Sequence, residues 1–215
     1  MIPNTYSHPL RPSLLGGSWR GAILDDIALS REELERHLLS LPYWRAKLAR
    51  AFKHEQGKKE CTIAYELLCQ MLREEYGIQQ PPAFGYGEHG KPYLLNHPDI
   101  HFNLSHTRHA IACIVDTKPC GIDVESLGRY KESLARYCMC DEEMEQILSA
   151  GDRDIAFTSL WTQKEALLKL TGEGITDDLK TVLRSSRMDG VSLQTIVNTE
   201  KGYCISIATT ACHLV

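Results

Sequence analysis

The hydrophobic positions of this chain follow two rhythms that alternate along its length. From 29 to 76 they recur at three- and four-residue steps, as in Ala64, Leu67, Leu68, Met71 and Leu72, which predicts helix. Ser30 followed by Arg31, Glu32 and Glu33 predicts an N-cap with acidic residues in the first turn, and Gly77 predicts a stop. Turn-rich sequence from 81 to 98, with Gly85, Gly87, Gly90 and Pro92, predicts a loop with a short strand at 93–95.

The rhythm changes at 100–104 and 109–115, where Ile, Val and Ala predict strands. A turn at 116–119 leads into a third at 122–125. Residues 130–150 return to helix, with Asp141, Glu142 and Glu143 opening the second of two, and 154–171 predicts a longer helix ended near Gly172. A hairpin is predicted from 191–197 and 203–209 around the turn at 198–202. The order of helices and strands predicts an α+β fold, with two similar halves, 1–116 and 117–215.

Composition narrows the picture. A chain of 215 residues can bury one large core or two small ones. A net charge of -4 argues against a general nucleic-acid binder, which needs a basic excess to replace counterions. No eighteen-residue apolar run occurs, and residues 1–15 are too polar and proline-interrupted for a secretory segment, so no membrane association and a cytoplasmic location are expected. The eight cysteines are expected to be reduced, core-filling thiols; the close pair Cys138 and Cys140 lacks the C-x-x-C spacing of zinc or redox sites.

Candidate chemistry comes from two acidic motifs. On a strand, Asp123 and Glu125 share one face, about 7 Å apart, while Ile122 and Val124 point into the core. On the helix after Asp154, residues Phe157, Leu160, Trp161, Leu167 and Leu168 form an apolar stripe with Lys164 near its middle, and Glu165 and Lys169 lie four apart on its flank. Three carboxylates and two lysines suit a divalent cation on a diphosphate. The bland alternatives are solvated acids on a half-exposed strand, a surface Glu–Lys pair and a snorkelling lysine.

Residues 102–107 end a strand with Ser105 and His106, both able to donate hydrogen bonds to phosphate oxygen. His97, His101 and His106 fit no common zinc spacing, and no G-x-S-x-G elbow accompanies the serine. Arg45, Lys47, Arg50, Lys53, Lys58 and Lys59 form a basic run, with Lys91 in the glycine-rich loop: a solvated helix face or an anion site.

Taken together, Gly90-Lys91-Pro92, then 102–107 (FNLSHT), then 121–125 (GIDVE), then 161–169 (WTQKEALLK) with Gly172 and Gly174 resemble the 4′-phosphopantetheinyl transferases of the Sfp type in order and spacing. The likeness spans most of 29–175. It implies a pseudo-twofold α+β fold of two similar halves with coenzyme A in the cleft between them, transfer of the phosphopantetheine arm to a serine of an apo acyl or peptidyl carrier protein, and release of adenosine 3′,5′-bisphosphate. By motif, Asp123, Glu125 and Glu165 would hold Mg²⁺, or Mn²⁺, against the diphosphate. Ser105, His106, Lys164 and Lys169 would contact phosphate oxygens. Lys91 with Gly90 and Pro92 would line the adenine end, and Arg45, with Lys47, would face the 3′-phosphate, Lys58 and Lys59 being alternatives. Glu165 is the candidate general base, with Lys169 and His106 completing the catalytic set. The segment 129–144, with Arg129, Lys131, Leu134, Arg136, Tyr137 and Met139, is expected to contribute to carrier docking, and a monomer is expected. The competing readings are a diphosphate hydrolase using the same carboxylates with water, and a silent binder of coenzyme A or carrier.

Overall fold

A computed structural model of the chain describes residues 20–25, 27–174 and 178–210. Residues 1–15 and Cys212, which carried part of the secretory and thiol expectations, lie outside them.

The first part of the chain runs β1 (Arg20–Asp25), α1 (Arg31–Ser40), α2 (Tyr43–Arg50), α3 (Glu55–Tyr76), a hairpin of β2 (Phe84–Tyr86) and β3 (Pro92–Leu94), then β4 (His101–His106) and β5 (Ala110–Asp116). The second runs β6 (Cys120–Ser126), α4 (Glu132–Cys138), α5 (Asp141–Ser149), α6 (Arg153–Thr171), a 3-10 turn (Leu179–Thr181), α7 (Ser185–Met188), β7 (Val191–Asn198) and β8 (Tyr203–Thr210). Both share a plan, a strand, three helices, an insertion (the β2–β3 hairpin in the first, the 3-10 turn and α7 in the second) and an antiparallel pair whose last strand takes the middle of a three-stranded sheet. The resulting orders are β1-β5-β4 and β6-β8-β7.

Local chemistry sets the boundaries. Ser30 caps α1 in a full capping box: its Oγ accepts from Glu33 N–H at 3.2 Å while the Glu33 carboxylate accepts from Ser30 N–H at 2.8 Å. Gly77 and Gly172 close α3 and α6 at φ of 68° and 76°, a left-handed turn that glycine adopts without steric cost. Two elements depart from expectation. The loop at 81–98 holds a two-stranded hairpin rather than one strand, and β1 was not expected at all. Its short apolar run, Ala22-Ile23-Leu24, carries no period of its own and becomes a strand by pairing with β5.

Each sheet is covered by a long helix on one face and meets the other sheet on the opposite face. Ile63, Leu67, Leu68 and Met71 of α3 pack on Phe102, Ile111, Cys113 and Val115. The other face of β5 (Ala110, Ala112, Ile114) meets Ile122, Val124, Ile205 and Ile207. Leu167, Leu168 and Leu170 of α6 anchor a third cluster with Met139, Met144 and Ile147. The described cysteines are free thiols, and all but the half-buried Cys140 are buried. No helix among the described residues is long and apolar enough to cross a membrane.

The two sheets join along β4 and β6. Asn103 Oδ1 accepts from Ile122 N–H at 2.9 Å, Ser105 Oγ accepts from Val124 N–H at 3.2 Å, and the Thr107 and Ser126 hydroxyls bond at 2.6 Å. The constant offset of 19 residues in these contacts means that the strands run parallel. Side chains replace the usual backbone ladder and satisfy buried N–H groups that would otherwise be costly.

Helix α6 sits so close to β6 that a Cβ at Gly121 would lie 2.1 Å from Ala166 O and 2.5 Å from Leu170 N. The apolar stripe of α6 also encloses an ammonium: Lys164 is 0% exposed and donates to Glu143 Oε1 at 2.7 Å and to Leu179 O at 2.8 Å. The other Glu143 oxygen accepts from Cys140 N–H at 2.8 Å, capping α5. The expectation that Lys164 contacts phosphate is therefore corrected, because its charge is neutralised inside the second core.

Two stability predictions follow from these contacts. Gly121→Ala should lower unfolding free energy by about 2–3 kcal/mol, since backbone rather than a flexible side chain must move. Lys164→Met should cost about 3–5 kcal/mol by stranding the Glu143 charge, and Lys164→Met/Glu143→Gln should recover most of it. Chemical denaturation of the three variants measures both; a double variant no better than the single one would contradict the ion-pair account.

Candidate active site

The site begins with the alternation of β6. Gly121, Asp123 and Glu125 face α6, while Ile122 and Val124 enter the core between the sheets. Asp123 is only 4% exposed, so its charge needs compensation inside the protein. Asp123 Oδ1 receives it, accepting from Ser105 Oγ–H at 2.9 Å and from the Lys169 ammonium at 2.6 Å. Lys169 also donates to Ser105 Oγ at 3.0 Å. Asp123 Oδ2, also buried, has no hydrogen-bond partner.

Ser105 is thus fully used: its oxygen takes donors from Val124 and Lys169, and its proton goes to Asp123. The expected role of Ser105 as a phosphate contact is corrected to one of structure, because no donor remains for a ligand in this arrangement. Lys169 keeps one of its three N–H donors beyond the two it spends here.

Glu165, one helical turn before Lys169, stands near the same carboxylate. Burial, and then the negative charge of Asp123, raise its pKa above the ordinary value; Lys169 opposes this and Glu125 adds to it. Glu125 itself accepts from Arg129 Nη1 at 2.7 Å. Among the described residues, no three acidic, histidine or cysteine side chains stand close enough together to form a ready metal cage.

The donors still fit a divalent cation. A buried carboxylate oxygen without a partner and a neighbouring carboxylate burdened by like charge are both relieved by a positive ion with oxygen preference. Asp123 Oδ2 and Glu165 are the two groups of this kind, Glu165 lining the cleft described next while neither Asp123 nor Glu125 does, and Glu125 would have to leave Arg129 to join them.

Beside them opens a cavity of about 310 Å³ lined by the β2–β3 turn (His89, Gly90, Lys91, Pro92), by Asn103 and Leu104 of β4, and by Glu165, Leu168, Lys169, Gly172 and Gly174. Three of the sequence motifs, distant along the chain, therefore share one cleft. Lys91 lines it, but its ammonium donates to Cys120 O at 3.2 Å and Leu170 O at 3.0 Å, stapling the turn to β6 and the end of α6. Burial pushes its pKa below the ordinary lysine value.

The remaining expected residues stand elsewhere. Arg45 donates to Cys61 O at 2.8 Å and lies 4.9 Å over the Tyr65 ring, so its guanidinium is engaged within the first half; the exposed Lys47 is not in the cleft lining. His106 Nδ1 lies 3.2 Å from Glu60 Oε2. Within the docking segment, Tyr137 and Leu134 are exposed, whereas Met139 belongs to the core, which corrects its assignment to a surface.

Three contributors escaped sequence reasoning: Asn103, whose partner is a backbone N–H, Glu60, which bonds across from α3, and Glu143. The period-two polar row Asn103, Ser105, Thr107 was the available signal for the first, since its strand has an apolar opposite face at Phe102 and Leu104.

Comparison with known proteins agrees with this geometry. Residues 119–211 match the model of the 4′-phosphopantetheinyl transferase superfamily. A 4′-phosphopantetheinyl transferase of Bacillus subtilis is 30% identical over 153 residues, covering 70% of this chain and 68% of that protein. The 4′-phosphopantetheinyl transferase Sfp of Bacillus subtilis strain 168 is 28% identical over 169 residues, 77% of this chain and 75% of its own. The 4′-phosphopantetheinyl transferase HetI of a Nostoc species is 32% identical over 160 residues, 69% and 68% of the two chains. The chain belongs to the 4′-phosphopantetheinyl transferase superfamily and is an enzyme of that activity.

Proposed function

We propose that the enzyme moves the 4′-phosphopantetheine arm of coenzyme A to a serine of an apo acyl or peptidyl carrier protein, with Mg²⁺ (or Mn²⁺) held by Asp123, Glu165 and Glu125. The observation that carries this reading is the unpartnered Oδ2 of buried Asp123, beside a cleft edged by Glu165 and Lys169. In the reaction, the serine Oγ forms a bond to the phosphorus bearing the pantetheine arm, the P–O bond to the adenosine side breaks, and adenosine 3′,5′-bisphosphate leaves. A bound divalent ion supplies charge neutralisation to the diphosphate.

The chain's own residues do the rest. Lys169 directs its spare donor into the cleft and holds Asp123 in place. Glu165, on the edge of the cleft, accepts the serine proton directly or through a water. His106 donates to a phosphate oxygen through the ring nitrogen that Glu60 leaves free. With Arg45 engaged internally, the 3′-phosphate falls to the exposed Lys47, with the half-buried Lys58 and Lys59 as alternatives, the latter only by leaving Glu55.

The repeated strand order supports reading 1–116 and 117–215 as halves about a pseudo-twofold axis within a single working chain. Carrier docking is assigned to α4, where Tyr137 is 70% exposed and Leu134 40% exposed beside Arg136. Acidic carrier surfaces complement that mixture of apolar and basic groups.

Intact-protein mass spectrometry of an apo carrier incubated with enzyme, coenzyme A and Mg²⁺ tests the central reading. A gain of one phosphopantetheine, lost with EDTA and in Asp123→Ala, is expected; no gain across several carrier types would overturn it. Glu165→Gln should abolish transfer yet bind coenzyme A. The same variant tests the electrostatics. The folded-state pKa of Glu165 lies above its unfolded value of 4.5, so the folded state binds that proton more tightly. Wild type therefore loses this contribution as pH rises through the raised pKa. Glu165→Gln should melt higher at neutral pH, with the gap closing below 4.5, and a lower melting point throughout would reject the assignment. For docking, Arg136→Glu with Tyr137→Ala should raise KM for the carrier several-fold with KM for coenzyme A unchanged. Arg129 is a poorer probe, because its pair with Glu125 reaches the metal site.

A further inference from the structure

Glu60, on the first turns of α3, is absent from every motif above, yet its carboxylate is 16% exposed and placed against an imidazole. Its Oε2 lies 3.2 Å from Nδ1 of His106, whose side chain is 49% exposed at the end of β4. We propose that Glu60 is a positioning residue for coenzyme A binding: its carboxylate accepts from Nδ1–H of His106 and fixes the ring, so that the Nε2 edge is presented to a phosphate oxygen. This rests on the reading of His106 as a phosphate donor.

The argument is one of donors and charge. When Nδ1–H donates to a carboxylate, neutral imidazole has only a lone pair at Nε2, which would repel a phosphate oxygen. Only the imidazolium satisfies Glu60 and an anion together. The same pairing offsets the repulsion that an unpaired Glu60 would exert on a diphosphate. Geometry adds to this. His106 shares a strand face with Leu104, which lines the cleft, and α3 covers that face. The ion pair therefore links α3 to the strand next to the cleft and limits the rotamers of a half-exposed side chain. Lys59, beside Glu60 in sequence, is already paired with Glu55 at 2.9 Å, leaving the Glu60–His106 contact as the ion pair of this turn directed toward β4.

Calorimetric titration of coenzyme A into wild type, Glu60→Ala, Glu60→Gln, His106→Ala and Glu60→Ala/His106→Ala tests the proposal, with the His106 ring followed by ¹H–¹⁵N spectra. Glu60→Ala should weaken binding by about tenfold, the worth of one charge-assisted hydrogen bond. Glu60→Gln, which keeps an acceptor but no charge, should fall between. The double variant should bind no more weakly than His106→Ala, and the Nδ1–H signal should weaken or shift in Glu60→Ala. If His106→Ala binds coenzyme A as wild type does, the phosphate role of His106 fails. If His106→Ala is weakened while Glu60→Ala and Glu60→Gln are not, that role stands and the positioning role of Glu60 is overturned. Loss of affinity from Glu60→Ala that persists in the His106→Ala background would also overturn it, by showing another route.

Discussion

Asp123 is buried on β6 with one carboxylate oxygen held by Ser105 and Lys169 and the other without a partner, and both facts trace to the seam between the sheets. Because β4 meets β6 through side chains, Ser105 can bond at once to the backbone of Val124 and the carboxylate of Asp123. Because Gly121 lets α6 lie almost on the strand, Lys169 reaches the same oxygen from above. An ordinary parallel ladder would have left no hydroxyl there, and a side chain at 121 would have lifted the ammonium away. The architecture of the join is in this sense the architecture of the site.

Positive charge is distributed by the same constraint. The lysines that the motifs offer for an anionic ligand have three different fates. Lys164 neutralises Glu143 in the second core, Lys91 staples two backbone carbonyls across the halves, and Lys169 shares itself between Asp123, Ser105 and the cleft. Fixed charge therefore holds the frame first and serves the ligand second. Negative charge is less well balanced. Burial, and then the charge of Asp123, keep the pKa of Glu165 raised, a destabilising arrangement of the kind that active sites retain because function needs it.

Much of the fold was legible in the sequence where its cause is local. The Ser30 capping box, the glycines that end α3 and α6 and the β7–β8 hairpin each depend on neighbours a few residues away. β1 was not legible, since three apolar residues become a strand only by pairing with β5. The site divided along the same line. Asp123, Glu165 and Lys169 were found from alternation and helical spacing, and the structure brings them together. Lys164 was placed on the apolar stripe by periodicity, which pointed to burial, but its carboxylate partner lies on another helix and could not be seen. Asn103 and Glu60 share that difficulty: one answers a backbone N–H, the other a histidine on a different element.

The claim that the free oxygen of Asp123 is a cation ligand is the hinge of the proposed mechanism. It is tested most directly by Mn²⁺ titration followed by electron paramagnetic resonance, for wild type and Asp123→Asn with coenzyme A present. The account predicts one bound ion per wild-type chain and affinity at least ~10-fold weaker in the variant. Equal binding by both proteins would contradict it.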